Sequence, residues 1–210
     1  MKLAVFDFDS TLMDGETIDF LAKELGFEAE VAEITERAMA GELDFFDSLV
    51  SRVSLLKGLG VEKVNSICQN LPLINGAKEA VESLKSQGFR VVCFSGGFRN
   101  ATEPICASLG IDADFSNYLH EKDGILTGLV GGEMMFSDSK GKMVKRLQNL
   151  LGVSKANTLV VGDGANDISM FRHAGVSVAF CAKPILKEAA TDIVDVKDLR
   201  EVAKIASEKL

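Results

Sequence analysis

Short runs of mostly apolar residues recur along this chain, and they restrict its fold more than any other feature. The runs cover residues 3–6, 89–94, 158–161, 176–179 and 193–196. Runs of this length indicate strands that are buried on both faces of a parallel sheet. Between them, apolar residues recur at helical spacing, and three such stretches end before Gly88, Gly152 and Gly175. Because glycine commonly follows a helix in a left-handed conformation, we expect the helices to end there.

Strands that alternate with helices predict a doubly wound, Rossmann-like parallel α/β sheet. Residues 15–71 interrupt the alternation, because no strand-like run occurs there and apolar residues follow helical spacing throughout. We therefore expect a core domain from residues 1–14 and 72–210, with an all-helical unit at 15–71 inserted after the first strand. Residues 115–136 contain several glycines and an alternation at Ile125, Thr127 and Leu129, which predicts a small β-hairpin excursion. The insert is expected to contain four helices, one for each set of apolar residues at helical spacing. The sets are Ile18, Leu21 and Leu25; Val31, Ile34 and Ala38; Phe45, Leu49, Val53 and Leu56; and Val64, Ile67 and Cys68.

The composition excludes several classes of protein. The chain has 23 Lys and Arg against 31 Asp and Glu, a net charge of −8 that is spread along the sequence and gives no attraction to nucleic acid. The chain contains no run of about 18 apolar residues, so no membrane span is predicted. An acid at position 7 argues against a signal peptide. The four cysteines stand singly, which is typical of small buried side chains. We expect a soluble protein of the reducing cytoplasm without a nucleic-acid or membrane partner.

Histidine is scarce, and this directs attention to carboxylate chemistry. The chain has only His120 and His173, which leaves little scope for a zinc site or a Ser-His-Asp triad. The glycines at 162 and 164 lack the third glycine of a dinucleotide fingerprint, and Gly141-Lys142 lacks the context of a nucleotide-binding loop. An enzyme with this composition is expected to work through Asp and Glu.

Acidic and polar residues follow three of the predicted strands. Asp7 and Asp9 follow the first strand, and Ser95 with two glycines follows the second. The acidic loop 162–167 follows the third strand, and Lys140 opens the helix before that strand. Because ligands bind beyond the carboxyl ends of parallel strands, we expect these residues to converge at one edge of the sheet.

This combination favours phosphoryl transfer. Several acids around one point suit Mg²⁺, which prefers oxygen ligands and keeps some of its water. A hydroxyl, glycine N–H groups and one lysine can bind the remaining phosphoryl oxygens. One unprotonated acid that faces phosphorus can then act as a nucleophile. The residues therefore predict a reaction that passes through an aspartyl-phosphate.

Six segments of the chain are similar to the haloacid dehalogenase superfamily of phosphotransferases and, within it, to the phosphoserine phosphatases. They are DFDST at 7–11, ETID at 16–19, RVSLLK at 52–57, FSGGF at 94–98, VGDGANDISM at 161–170 and AFCAKP at 179–184. The chain departs from the pattern at Arg99, where many members carry an acid; the departure lies past the phosphate turn and affects its rim.

The resemblance implies roles for the reacting residues. Asp7 would attack phosphorus, and Asp9 would protonate the leaving oxygen and then activate water. Mg²⁺ would be bound by the side chains of Asp7 and Asp163 and by the backbone carbonyl of Asp9. The phosphate would be bound by Ser95, the Gly96 amide and Lys140, while Asp167 would orient Lys140 or the metal shell.

The resemblance also implies that residues 15–71 form a cap that recognises L-phosphoserine. Glu16 would bind the substrate ammonium and Arg52 its carboxylate, a pairing that suits the chemistry of both groups. Asn166 would contact the substrate, and Met39 and Phe45 would form the walls of the lid. The activity implied is hydrolysis of L-phosphoserine, the last step of serine biosynthesis.

Two other functions remain open from the sequence. A relative with the same residues could pass the phosphoryl group to another small alcohol, such as homoserine, because both reactions share the aspartyl-phosphate. The chain could instead be a non-catalytic module that binds a phosphorylated ligand. The presence of Asp7, Asp9, Lys140 and Asp163 together argues against that second alternative.

Overall fold

The computed structural model describes residues 1–39 and 42–210, without the side chains of Leu25 and Met39. Within these residues it contains seven strands and ten α-helices. The strands are β1 (Lys2–Asp7), β2 (Phe89–Phe98), β3 (Ala113–Lys122), β4 (Ile125–Gly132), β5 (Thr158–Gly162), β6 (Val176–Phe180) and β7 (Asp192–Val194). The helices are α1 (Thr17–Leu25), α2 (Glu28–Met39), α3 (Phe45–Ser54), α4 (Val61–Cys68), α5 (Ala77–Ser86), α6 (Arg99–Leu109), α7 (Ser139–Leu151), α8 (Ile168–Phe171), α9 (Pro184–Lys187) and α10 (Arg200–Lys209).

The strands form one sheet in the order β4-β3-β2-β1-β5-β6-β7. All neighbouring strands are parallel except β3 and β4, which are antiparallel. Strand β1 lies at the centre between β2 and β5, so the loops that follow these three strands share one edge. The predicted doubly wound α/β fold is confirmed.

Alternate residues of the central strand supply two apolar layers. Ala4 and Phe6 belong to the larger layer, and Leu3 and Val5 belong to the smaller one on the opposite face. Because side chains alternate across a strand, an uninterrupted apolar run is what a sheet covered on both faces requires. Strand β1 is buried from Leu3 onwards, and its last residue, Asp7, lies at the carboxyl edge of the sheet.

Helices α1–α4 occupy the predicted helical insert between β1 and α5. Their apolar faces share the larger layer with the sheet, as Leu21, Leu49 and Val64 show. The segment between α3 and α4 is bonded to the β3–β4 hairpin through its main chain. Gly58 N–H donates to Leu126 O (2.9 Å), Leu126 N–H to Leu59 O (2.8 Å) and Val61 N–H to Gly124 O (2.9 Å).

The predicted hairpin is formed by β3 and β4, which make up one edge of the main sheet. Strand β3 begins at Ala113 and pairs with β2 before it turns into β4. The alternation at Ile125 and Leu129 faces outward, with exposed fractions of 44% and 62%, whereas Leu126 is buried. The prediction of a hairpin is confirmed, and its first strand β3 also continues the ladder of the main sheet.

Two further expectations need correction. Helix α8 ends at Phe171, and Gly175 is not left-handed; a Cβ there would lie 2.9 Å from Ala156 Cα, so close approach requires glycine. Cys181 is exposed, unlike the other three cysteines, because it lies just past the end of β6. Gly88 and Gly152 do adopt positive φ values of 87° and 64° after α5 and α7.

Among the described residues, no helix combines the length and apolar character that crossing a membrane requires.

Candidate active site

A cleft of about 250 Å³ opens at the carboxyl edge of the sheet, beneath α1 and α3. Its walls come from the carboxyl ends of β1 and β2, from the segments after β1, β5 and β6, and from α1, α2 and α3. The cleft is small enough for a metabolite of a few heavy atoms and carries both acids and cations. Its charged lining residues are Asp7, Asp9, Glu16, Asp19, Arg52, Asp163 and Lys183.

Asp7, Lys140 and Asp167 form a buried charged cluster at the floor of the cleft. Lys140 Nζ lies 2.6 Å from Asp7 Oδ1 and 2.6 Å from Asp167 Oδ1. Burial disfavours charge on Lys140, but Asp167 and Asp7 outweigh it and raise its pKa above the ordinary value. Burial and then the charge of Asp167 raise the pKa of Asp7, against the opposing effect of Lys140. These three residues therefore lie together at the edge of the sheet, as the sequence predicted.

Asp163 adds a third carboxylate to this floor. Oxygens of Asp7, Asp163 and Asp167 all lie within 4.8 Å of one another. Burial and the charge of Asp167 raise the pKa of Asp163 to about 6. Three acids against one lysine leave negative charge that a divalent cation can offset, and their oxygens suit such an ion. Asp167 is already engaged, because its Oδ2 accepts from Asp163 N–H (3.0 Å) and Gly164 N–H (3.1 Å).

Asp9 is held by the first residue of α1. Its Oδ1 accepts hydrogen bonds from the backbone N–H of Thr17 (2.8 Å) and from the Thr17 hydroxyl (2.6 Å). The first N–H groups of a helix have no partner within the helix, so the carboxylate also satisfies the start of α1. Burial raises the pKa of Asp9, and the Thr17 hydrogen bonds oppose it. The sequence analysis missed Thr17, although its place at a helix start next to the acidic motif was a signal.

The turn Ser95-Gly96-Gly97 passes close to both the acids and the helices. Ser95 is fully buried, and its Oγ accepts from Gly97 N–H at 2.9 Å. A Cβ on Gly97 would lie 2.8 Å from Asp9 Oδ2, and one on Gly96 would lie 2.9 Å from Phe45 Cζ. A larger residue at either position would therefore have to displace the end of the Asp9 or Phe45 side chain, which favours glycine at both. Gly96 and Gly97 line the cleft, while Ser95 lies in the layer below them.

Asn117 on β3 supports this turn from behind and was also missed. The β2–β3 ladder is irregular between Phe94 and Phe98, so the turn bulges out of the sheet. The fully buried Asn117 amide donates to Gly96 O (3.0 Å) and Met134 O (3.3 Å), and Asn117 Oδ1 accepts from Met134 N–H (3.0 Å). An asparagine in the middle of a strand was the only signal.

Four of the five residues predicted to contact the substrate line the cleft. Glu16, Arg52, Phe45 and Asn166 all line it. Burial within the cleft and the charges of Asp9 and Asp163 raise the pKa of Glu16 to about 8, although solvent reaches its side chain. The side chain of Met39, predicted as a lid wall, lies outside the described part of the chain.

Two charged residues of the cleft were not predicted to take part. Asp19 lies one turn after Glu16 on α1, and Lys183 precedes α9. Lys183 N–H donates to Asp163 O (3.0 Å), which ties the AFCAKP segment to the acidic loop. Both residues stand in segments that carried the resemblance, and their chemistry alone did not distinguish them from surface charges.

Known proteins resemble this chain over nearly its whole length. A protein-family model for haloacid dehalogenase-like hydrolases matches residues 1–175. The phosphoserine phosphatase of Wolinella succinogenes is 60% identical over 202 residues, which cover 96% of this chain and 98% of the relative. A solved phospho-aspartyl intermediate analogue of phosphoserine phosphatase has a TM-score of 0.92 at 48% identity, and covers 97% of this chain and 98% of its own. A substrate-bound phosphoserine phosphatase complex also has a TM-score of 0.92 at 48% identity, and covers 97% of both chains.

Proposed function

The chain belongs to the haloacid dehalogenase-like hydrolases, and we infer that it is a phosphatase that hydrolyses L-phosphoserine to L-serine and phosphate. The observation that carries this conclusion is the buried Asp7 carboxylate, 2.6 Å from Lys140 and beside Asp9 at the end of β1. Phosphoserine phosphatases that cover nearly the whole chain support the substrate. We assign the reaction to the last step of serine biosynthesis.

Asp7 is the proposed nucleophile. Its carboxylate oxygen forms a bond to phosphorus while the bond from phosphorus to the serine oxygen breaks. Lys140 stabilises the charge of Asp7 and lies where it can also attract a phosphoryl oxygen. Asp9 gives its proton to the serine oxygen, and Thr17 fixes the orientation of that carboxyl group. Asp9 then takes a proton from the water that attacks the phosphoaspartate.

The residues at the floor of the cleft fit a magnesium ion. Its proposed ligands are the side chains of Asp7 and Asp163 and the backbone carbonyl of Asp9, with Asp167 orienting Lys140. When bound, Mg²⁺ supplies positive charge to the phosphoryl oxygens. Ser95, the Gly96 amide and Lys140 would bind the remaining oxygens of the phosphate.

Residues 15–71 are proposed to act as the cap, and residues 1–14 and 72–210 as the core. Glu16 on the approach to α1 would bind the ammonium of phosphoserine, and Arg52 on α3 its carboxylate. Phe45 closes the cleft above Gly96, and Asn166 faces the cleft from the acidic loop. A net charge of −8 gives the chain no general attraction to nucleic acid, which fits a free small-molecule substrate.

The test is phosphate release from a panel of phosphate esters in the presence of Mg²⁺. We expect phosphoserine to be the preferred substrate and phosphoethanolamine, which lacks the carboxylate, to be poor. A phosphoenzyme that survives acid quenching and is cleaved by hydroxylamine, as an acyl phosphate is, should form with the parent and not with Asp7→Asn, whereas Asp195→Asn on the surface should behave as the parent.

Two outcomes would contradict the proposal. Phosphate release by Asp7→Asn at the parent rate would exclude the nucleophile, and equal rates on phosphoethanolamine would exclude the role of Arg52. Homoserine added as an acceptor tests the phosphotransferase alternative, which the comparisons do not favour. That alternative requires that homoserine become phosphorylated and that the release of free phosphate fall correspondingly.

A further inference from the structure

Two phenylalanines form a stacked pair between an inserted helix and the core. The rings of Phe46 and Phe136 have centroids 5.3 Å apart and planes inclined by 8°. Phe46 is the second residue of α3, and Phe136 lies in the segment between β4 and α7. Phe136 is 57% exposed, so this large apolar side chain is not a core residue.

The Phe136 side of the pair rests on a fixed base. Its N–H donates to Ser139 Oγ (3.2 Å) and its carbonyl accepts from Ser139 N–H (3.0 Å). Met134 and Met135 just before it are buried, and Lys140 follows Ser139 in α7. These hydrogen bonds tie the main chain of Phe136 to the start of α7, next to the lysine at the floor of the cleft.

The Phe46 side of the pair belongs to the helix that covers the cleft. Phe45, Leu49 and Arg52 recur at helical spacing on α3 and all line the cleft. Phe45 approaches the turn closely enough that a Cβ on Gly96 would lie 2.9 Å from its ring. Any tilt of the first turn of α3 therefore moves Phe45 relative to the phosphate turn.

The two ends of α3 are held to the core by contacts of different kinds. Three main-chain hydrogen bonds join the segment after the helix, at Gly58, Leu59 and Val61, to the hairpin. At the beginning of the helix, the contacts with the core described above are the Phe46–Phe136 stack and the approach of Phe45 to Gly96. A stacked pair that is open to solvent separates more easily than a main-chain ladder.

We propose that Phe46 and Phe136 are positioning residues that hold the beginning of α3 down over bound substrate, with the end of the helix at the hairpin as the fixed side. The proposal rests on the proposed function, because it assigns Phe45 and Arg52 to substrate binding. Neither phenylalanine of the stack touches the reacting atoms; the pair acts through the position of α3.

The strength of the pair sets the size of the effect. Formation of an aromatic pair changes an equilibrium constant by a factor of about 2 to 12, in addition to the effect of the apolar area that the pair buries. A stack formed only with the cleft closed therefore strengthens substrate binding by about that factor. It also disfavours ligands too large for the closed cleft, since they bind only when α3 is raised.

The experiment compares Phe46→Ala, Phe136→Ala and the double variant on two substrates, phosphoserine and the bulky 4-nitrophenyl phosphate. We expect each single variant to raise KM for phosphoserine about 2- to 12-fold with little change in kcat. The kcat/KM for the aryl ester should stay constant or rise. The double variant should match a single variant, because one contact is lost in all three. Leu150→Ala, which removes a side chain 80% exposed on α7, should leave both substrates unchanged.

Three results would overturn the proposal: an unchanged KM in Phe136→Ala, an equal loss on both substrates, or effects that multiply in the double variant. Thermal unfolding checks that each variant is folded, and Phe136→Leu, which keeps apolar area without a planar ring, replaces Phe136→Ala if that variant unfolds. A parent protein that releases no phosphate from phosphoserine would instead contradict the proposed function, so the two failures are distinct.

Discussion

Glu16 is the residue whose ionisation should govern substrate binding near neutral pH. Burial, with the charges of Asp9 and Asp163, raises the pKa of Glu16 to about 8. A carboxyl group is neutral below its pKa, so much of Glu16 is uncharged at pH 7 and attracts an ammonium weakly. The charged form, which should bind the ammonium of phosphoserine, is gained as the pH rises through about 8.

We therefore expect KM for phosphoserine to fall as the pH is raised from 7 to 9, measured by steady-state kinetics at constant ionic strength. Glu16→Gln removes the titration and should give a high KM without this slope. Glu28→Gln, on the exposed start of α2, serves as the control and should keep the slope of the parent. A Glu16→Gln variant with the parent's pH dependence would rule out the role of Glu16.

Asn117 should matter to catalysis although it touches no substrate. Removal of its amide leaves the buried carbonyls of Gly96 and Met134 without a donor and frees the phosphate turn to shift. A displacement of about 1 Å in a site can lower rates about 10²-fold. We expect a loss of this order in kcat/KM for Asn117→Ala, and at least as much for the isosteric Asn117→Asp, whose carboxylate repels both carbonyls.

The matched control for Asn117 is Asn100→Ala, which removes a side-chain hydrogen bond of 2.7 Å to Asn65 on α4 rather than a bond to the turn. It should lower stability slightly without lowering kcat/KM. The role of Asn117 would be excluded if Asn117→Ala lost stability alone and kept its activity per folded molecule.

Sequence reasoning could place some residues of this site and not others, for a physical reason. Asp7, Asp9 and Asp163 follow buried strands, and the rule that parallel strands end at one edge brings them together without further knowledge. Thr17 and Asn117 depend on which main-chain groups lie opposite them. The bulge at residues 95–97 decides that for Asn117, and no local pattern announces the bulge.

At the scale of elements, the hairpin β3–β4 has a role that its sequence did not reveal. The alternating residues of β4 predicted a hairpin, but they did not predict its hydrogen bonds to the segment between α3 and α4. Main-chain hydrogen bonds between distant segments leave no mark on side-chain identity. The helices of the insert, in contrast, could be predicted because each buries a face at regular spacing.

Val61 allows the bond between insert and hairpin to be tested by itself. Val61 is the first residue of α4, where proline is well accommodated, and Gly60 has the extended conformation that precedes proline comfortably. Val61→Pro should therefore remove the N–H donor to Gly124 O with little other strain. We expect the free energy of unfolding to fall by about 1 kcal/mol, measured by urea denaturation.

The control for this change is Val61→Ala, which shortens the side chain and keeps the N–H. Amide hydrogen exchange at Gly58 should accelerate in Val61→Pro relative to Val61→Ala, because the neighbouring bond to Leu126 O loses its support. Equal exchange in the two variants would show that the hairpin does not anchor the insert.

At the scale of the whole molecule, the distribution of acids explains how a chain with a net charge of −8 can serve an anionic substrate. Most acids are exposed, and some of them are paired locally, as in Lys187 with Asp195 and Lys142 with Asp138. The carboxylates at the floor of the cleft exceed their cations, which is unfavourable for folding and favourable for binding a divalent cation. The net charge of the sequence does not reveal this local excess of carboxylates, because the excess depends on the convergence of three loops.

Folding stability should therefore depend on Mg²⁺. A ligand that binds only the folded state stabilises it by about 2.7 kcal/mol at one hundred times its Kd. We expect the unfolding temperature of the parent to rise with Mg²⁺ concentration, measured by calorimetry after treatment with chelator. Asp163→Asn removes one proposed ligand and should lose most of the rise, whereas Asp195→Asn on the surface should keep it.

Ca²⁺ should separate binding from catalysis in the same assay. Its oxygen ligands lie at longer distances and in looser geometry than those of Mg²⁺, so it should raise the unfolding temperature while it misplaces Asp7 against phosphorus. Phosphate release should then fall when Ca²⁺ replaces Mg²⁺. Full activity with Ca²⁺, or an equal rise with Mg²⁺ in Asp163→Asn and the parent, would contradict a magnesium site built on Asp7 and Asp163.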